Sequence, residues 1–255
     1  MSDADNRERA LRGRAALVTG ASSGLGRATA LALATAGADV ALVARSAKDL
    51  ESAREEAAKA GGRTLALSAD LAGEDDAAWA IEQTVEAFGR IDVLVNAAGT
   101  DAPGRVEELS VEGWDRTLSV NLRAPFLLSK AAFGHMRATG GGTIINISSV
   151  AGKKGWANAS AYCASKFGLT GFTEALADEG REHGIRAIVL YPGAMATNWG
   201  AFAPEERQQS EPNEAPPTQV LPPERVADFI TWFAASPPEF VLTEGIIVPI
   251  EEGLP

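Results

Sequence analysis

Short, nearly unbroken apolar runs alternate along this chain with longer stretches in which apolar residues recur every three or four positions. The runs fall at 15–19, 39–45, 64–68, 91–95, 143–149, 185–190 and 245–250. The periodic stretches between them predict helices over about 27–34, 47–60, 74–88, 111–139, from Tyr162 to about His183, and 224–235. Strands that are apolar on both sides and alternate with amphipathic helices imply a parallel sheet covered on both faces. The expected fold is α/β: a single doubly wound domain spanning 1–255, with a mostly parallel, about seven-stranded sheet and helices on both faces. Gly37, Gly61-Gly62 and Gly140-Gly141-Gly142 punctuate the pattern. Residues 1–12 read as a flexible leader. Residues 194–223 carry six prolines, from Pro204 to Pro223, among Glu, Gln and Asn, and read as a substrate lid. Asn121, with Pro125 just after it, interrupts the apolar stretch 111–139 and predicts a local kink there.

Composition narrows the partners. A net charge of -11 argues against nucleic acid and against an anionic membrane surface. The single cysteine, Cys163, forms no intrachain disulfide, and the first residues lack the basic start and apolar stretch of a signal peptide. A cytoplasmic location is the expectation. No His, Cys and carboxylate cluster has metal-site spacing, and His135 and His183 read as surface residues.

The chemistry concentrates in three places. The strand ending at Thr19 runs into Gly20-Ala21-Ser22-Ser23-Gly24-Leu25-Gly26, then a helix of small residues. Glycines there let a pyrophosphate approach the backbone, and the helix N-terminus offers free N–H groups and partial positive charge. The second strand ends at Ala44-Arg45, where an acidic residue would favour NAD; a guanidinium suits a 2'-phosphate instead. Asp70 either accepts a hydrogen bond from an adenine amino group or caps the helix of 74–88. Small residues at Asn96-Ala97-Ala98-Gly99 allow a cofactor to lie close to the strand ends. Tyr162 and Lys166 share a helix face at i, i+4, and Ser149 precedes Tyr162 by thirteen residues. An ammonium beside a phenol is expected to lower its pKa toward neutrality, making a proton donor and acceptor for an alcohol or carbonyl. The plain alternative is a core tyrosine and a surface lysine.

Taken in order, Thr19 to Gly26, Asp70, Asn96 to Gly99, Asn121, Ser149, Tyr162-x-x-x-Lys166 and Pro192-Gly193 with Thr197 resemble the short-chain dehydrogenase/reductase family over roughly residues 13–250. The resemblance implies a Rossmann fold and an oxidoreductase interconverting a ketone or aldehyde and an alcohol. It implies Asn121, Ser149, Tyr162 and Lys166 as the catalytic set, with Tyr162 as acid and base and Asn121 in a proton relay through a water beside Lys166. The implied cofactor site adds Leu71, Pro192, Gly193 and Thr197 to the residues above, Thr197 holding the nicotinamide carboxamide. Arg45 matches the family's NADP(H) pattern over NAD(H). No metal is required, and a homo-oligomer, tetramer or dimer, is expected. The alternative from another class is an NADPH-binding regulatory protein with little turnover. Two departures stand out. The family's Val-Asp-Gly-Gly turn near the C-terminus is here Val248-Pro249-Ile250-Glu251-Glu252-Gly253, and Gly140 and His183 stand where carrier-protein reductases use arginines. Trp156, Met195, Trp199 and Phe202 suggest an apolar pocket for a ring-bearing substrate.

Overall fold

A computed structural model describes residues 10–197 and 218–253. The apolar runs become strands: β1 (Ala15–Thr19), β2 (Asp39–Ala44), β3 (Thr64–Ser68), β4 (Val93–Asn96), β5 (Gly142–Ile147), β6 (Ile185–Pro192) and β7 (Glu244–Ile247). The periodic stretches become α1 (Gly24–Thr35), α2 (Ala47–Ala58), α3 (Glu74–Phe88), α4 (Val111–Leu118), α5 (Ala124–Ala138), α6 (Ser160–Arg181) and α7 (Pro223–Ala235). The sheet runs β3-β2-β1-β4-β5-β6-β7, and every neighbouring pair is parallel, so the expected "mostly parallel" sheet is wholly so.

Side chains alternate between faces along each strand. In β2, Val40 and Leu42 join Leu33, Leu50 and Phe233 beneath α1, α2 and α7. Ala41 and Val43 point the other way, with Leu17, Ile81, Leu128, Met136 and Ile144, beneath α3, α5 and α6. Both faces are therefore core, which is why the strands read as continuous apolar runs. Each fully buried leucine or isoleucine contributes about 1.5–3 kcal/mol.

Strand order reverses between β1 and β4, and a crevice opens there beyond the carboxyl ends of the strands. The predicted kink takes a specific form. Between α4 and α5 one turn, Ser119–Arg123, is π-helical, and Pro125 occupies the first turn of α5. A proline lacks the N–H that a helix interior needs, and widening the preceding turn accommodates it without a break.

Beyond β6 the chain leaves the sheet at Gly193. Residues 195 and 221 then pair, with Ala196 N–H donating to the Leu221 carbonyl at 2.9 Å and Leu221 N–H to the Ala194 carbonyl at 2.8 Å. The two roots of the proline-rich stretch are thus held together. Of the lid reading over 194–223, residues 198–217 lie outside the described residues, as do Trp199, Phe202 and most of the expected leader. Among the described residues no helix is long and apolar enough to cross a membrane.

Candidate active site

The glycine turn is shaped by close approaches. Gly20 has a φ of +67°, and a Cβ there would meet the Ala98 backbone at 2.9 Å. At Gly26 a Cβ would collide with the Gly20 carbonyl, so a larger residue would push α1 off the turn. Ser23 is the N-cap of α1, but its side chain caps no N–H, and no acidic residue stands in the first turn. The positive end of the helix dipole therefore faces the crevice without an internal anion. Across the switch point, Thr19 Oγ1 accepts from Ala97 N–H (3.0 Å) and Ala98 N–H (2.9 Å), pinning the Asn96–Gly99 segment to the end of β1.

Most of the residues singled out in the sequence line one cleft. They are the Gly20 to Gly26 turn, Arg45, Asp70-Leu71, the Ala97–Gly99 segment, Ser149, Tyr162, Lys166, Pro192-Gly193 and Thr197. Two are absent from its walls. Asn96 is buried beneath the floor, donating to Asn146 Oδ1 at 2.7 Å, and Asn146 in turn donates to Thr173. Asn121 is also buried; its Oδ1 accepts from Thr100 N–H at 2.9 Å, and its Nδ2 donates to the Thr100 carbonyl at 2.8 Å and Ser165 Oγ at 3.1 Å. The π turn that carries it thereby ties the loop after β4 to α6.

Asp70 has partners other than a helix terminus. The N-cap of α3 is Gly73, so the capping alternative for Asp70 does not hold. Its carboxylate accepts from both Arg116 Nη atoms (2.8 and 3.0 Å) and from Ala72 N–H. Burial pushes the Asp70 carboxyl up, but Arg116, the Ala72 amide and the charge of Arg45 together hold it below the usual carboxylate range. Arg45 lies exposed at the end of β2, its carbonyl accepting from Ser68 Oγ at 3.1 Å.

At the other end of the cleft, Ser149 follows β5 and Tyr162 lies in the first turn of α6. Ser149 stands beside the Tyr162 phenol, where it favours the ionised form, and its Oγ accepts from Ala151 N–H at 3.2 Å. Lys166, one turn on and 3% exposed, lies with Nζ 5.5 Å from the centre of the tyrosine ring and donates to the Ile147 carbonyl at 2.8 Å. The plain alternative of a surface lysine is therefore excluded. The electrostatic balance differs from the sequence expectation. Burial drives the phenol well above the usual tyrosine value; the neighbouring Ser149 hydroxyl opposes this, and the charges of Asp101 and Cys163 add to it. Burial also lowers Lys166, to about 8. Burial therefore dominates at Tyr162, against the lowering that the i, i+4 spacing predicts.

Three contributors escaped the sequence reading. Thr19 reads from sequence as a strand end and the head of the glycine motif, with no sign that its hydroxyl anchors the Ala97-Ala98 backbone. Ser165 bridges Asn121 to α6, donating to the Tyr162 carbonyl at 2.7 Å. Asp101 follows the Asn96–Gly99 segment, and its carboxyl, pushed up by burial against the Ala102 N–H bond, faces the phenol electrostatically. Only the last carries a visible signal, an acidic residue two positions after a small-residue motif.

Comparison with known proteins gives the same picture. The short chain dehydrogenase family profile matches residues 14–208. The chain is 36% identical over 251 residues to the short chain dehydrogenase/reductase astE of Aspergillus oryzae, which covers 96% of this chain and 95% of that protein. It is 36% identical over 243 residues to the cis-4-hydroxycyclohexanecarboxylate dehydrogenase of Sinomonas cyclohexanicum, covering 94% of this chain and 96% of that one. A metagenomic short-chain oxidoreductase solved in complex with NADP matches with a TM-score of 0.81 at 34% identity, over 94% of this chain and 98% of the other. An ordered set of motifs gathered at one switch point, with relatives matched over nearly their full length, leaves one conclusion: the chain belongs to the short-chain dehydrogenase/reductase family of oxidoreductases.

Proposed function

We propose that the protein is an NADP(H)-dependent oxidoreductase of the carbonyl reductase or alcohol dehydrogenase type, interconverting a ketone or aldehyde and an alcohol. The observation that carries this reading is the gathering of Ser149 with Tyr162 and the buried Lys166, one turn apart on α6, in the same cleft as the glycine turn and Arg45. The whole of 1–255 is read as one dinucleotide-binding and catalytic unit.

The residues present fit a dinucleotide. The uncapped N-terminus of α1 and the backbone between Gly20 and Gly26 suit a pyrophosphate, and Arg45 suits a 2'-phosphate. Asp70 and Leu71 flank the adenine end, with Arg116 fixing the Asp70 carboxylate. Asn96 to Gly99 support the floor, and Pro192, Gly193 and Thr197 form the wall at the nicotinamide end. When bound, the nicotinamide supplies or accepts the hydride at the carbinol carbon. Ser149 Oγ holds the substrate oxygen and stabilises charge that develops on it. Tyr162 gives its phenolic proton to that oxygen in reduction and removes it in oxidation. Lys166 holds positive charge behind the phenol and stabilises the phenolate when it forms. Asn121 contributes as a post that fixes Thr100 against α6, since its amide is committed to Thr100 and Ser165.

Trp156 and Met195 lie along the same cleft. Together with the alicyclic hydroxy acid named for one relative, they support a ring-bearing substrate. The test is NADPH consumption against ketones, aldehydes and cyclic diketones, with Tyr162→Phe as control. Loss of general acid and base catalysis should lower turnover by at least about 10²-fold, with NADPH affinity nearly unchanged. Substantial residual turnover in that variant would remove Tyr162 from its role.

A further inference from the structure

The turn after β7, where this chain departs from its family's usual ending, carries a side chain that reaches the back of a cleft wall. We propose that Glu252 is a positioning residue for the cofactor, its carboxylate clamping the Gly193-Ala194 backbone from behind the nicotinamide wall. Glu252 Oε2 accepts from Ala194 N–H at 2.8 Å. Both carboxylate oxygens also lie where a Cβ on Gly193 would stand, so a side chain there would displace the carboxylate. The turn is itself held. Glu252 N–H donates to the Pro249 carbonyl at 2.9 Å, and Glu251 N–H to the Thr218 carbonyl at 3.0 Å.

What Glu252 holds is a wall of the cleft. After Pro192 the chain has left β6, and three backbone amides of the segment have found separate anchors. Gly193 N–H donates to the Ile247 carbonyl at 2.9 Å, Ala194 N–H to Glu252, and Ala196 N–H to the Leu221 carbonyl at 2.9 Å. The first and last anchors are backbone groups that any sequence supplies. The middle one depends on a single side chain, 58 residues away in the sequence. The held segment ends at Thr197, whose Cγ2 stands 3.3 Å from the place a Gly24 Cβ would occupy. The clamp thus fixes the wall against the glycine turn across the cleft, and an ionised acceptor makes the stronger bond to an amide. Without it Ala194 N–H would turn to water, and the wall would have to be ordered again each time cofactor bound.

This inference rests on reading the cleft as the cofactor site, and direct binding separates the two. NADPH and NADP⁺ titrations with wild type, Glu252→Ala, Glu252→Gln, Gly193→Ala and the double Gly193→Ala/Glu252→Ala would be run alongside steady-state kinetics. Glu252→Ala should weaken cofactor binding by about three- to tenfold, the scale of a hydrogen bond that water partly replaces, and the loss should appear in the cofactor KM with kcat nearly unchanged. Glu252→Gln keeps an acceptor oxygen and should stay within about twofold of wild type. Gly193→Ala should mimic Glu252→Ala, and the double variant should be no worse than either single one, because both remove the same contact. Wild-type affinity in Glu252→Ala, a Gln variant as weak as the Ala variant, or additive losses in the double would overturn the clamp and leave the cleft reading standing. A wild-type protein that binds neither NADPH nor NADP⁺ would overturn both.

Discussion

Lys166 is asked to keep a positive charge where water is scarce. Burial lowers it from 10.5 to about 8, and its hydrogen-bond acceptor is the neutral Ile147 carbonyl. The consequence for stability has a definite sign. Below pH 8 the lysine is charged both folded and unfolded, and the folded state bears the full cost of burying the ammonium. Between 8 and 10.5 the unfolded chain holds more of the proton, so stability rises with pH as that cost is relieved. At about 1.4 kcal/mol per pH unit, the cost at pH 7 is about 3 kcal/mol. Lys166→Met removes it but leaves the Ile147 carbonyl unpaired, a loss of about 1 kcal/mol. The variant should therefore be about 2 kcal/mol more stable than wild type at pH 7, with the gain shrinking toward pH 10, while turnover is lost. Denaturant unfolding at both pH values reads this directly. A less stable variant at pH 7 would show that the lysine is solvated or paired in solution.

At the scale of elements, the π turn Ser119–Arg123 decides where the loop after β4 sits. Asn121 places its amide against both backbone groups of Thr100, so truncating it strands a buried N–H and a buried carbonyl together. Asn121→Ala should cost about 3 kcal/mol, lowering the melting temperature by roughly 6–12 °C for a chain of this size. Turnover should fall with it, because Thr100 adjoins the cleft floor. A melting temperature unchanged in calorimetry would mean that the loop finds another anchor. The elements show which features sequence reveals. Thr64–Ser68 and Glu74–Phe88 matched their apolar periods to the residue, since burial on a sheet or helix face is written locally. Asn121 and Pro125 announced an irregularity, but not that the asparagine would grip Thr100, 21 residues back, and Ser165, 44 residues on. Asp70 likewise gave no sign of Arg116, 46 residues away. Periodicity carries no information about such pairings. The raised Tyr162 was misjudged for a related reason: i, i+4 spacing locates a charge but says nothing of the water removed around it.

For the whole molecule, the question is how a chain of net charge -11 would retain an anionic cofactor. The cleft gathers Arg27, Arg45, Lys48 and Arg116; Arg27 pairs with Glu56 at 2.8 Å and Arg116 with Asp70 at 2.8 Å. On the proposed reading, discrimination between NADPH and NADH falls on Arg45, because it stands exposed at the end of β2, where a 2'-phosphate would lie. Exposed charges lose their influence as salt shortens the screening length from about 10 Å at 0.1 M to about 3 Å at 1 M. Both cofactors carry the pyrophosphate, so its salt dependence largely cancels in their ratio, whereas the 2'-phosphate contribution does not. The preference for NADPH should accordingly narrow as salt is raised. Arg45→Asp should reduce it by at least about tenfold, the scale of a lost charge-assisted bond, and should abolish its narrowing with salt, because screening then weakens a repulsion rather than an attraction. One side chain sensing one phosphate produces both effects, so they must disappear together. Dissociation constants for both cofactors across a salt series, in wild type and variant, would show it, and equal weakening of NADH and NADPH by Arg45→Asp would remove Arg45 as the discriminating residue.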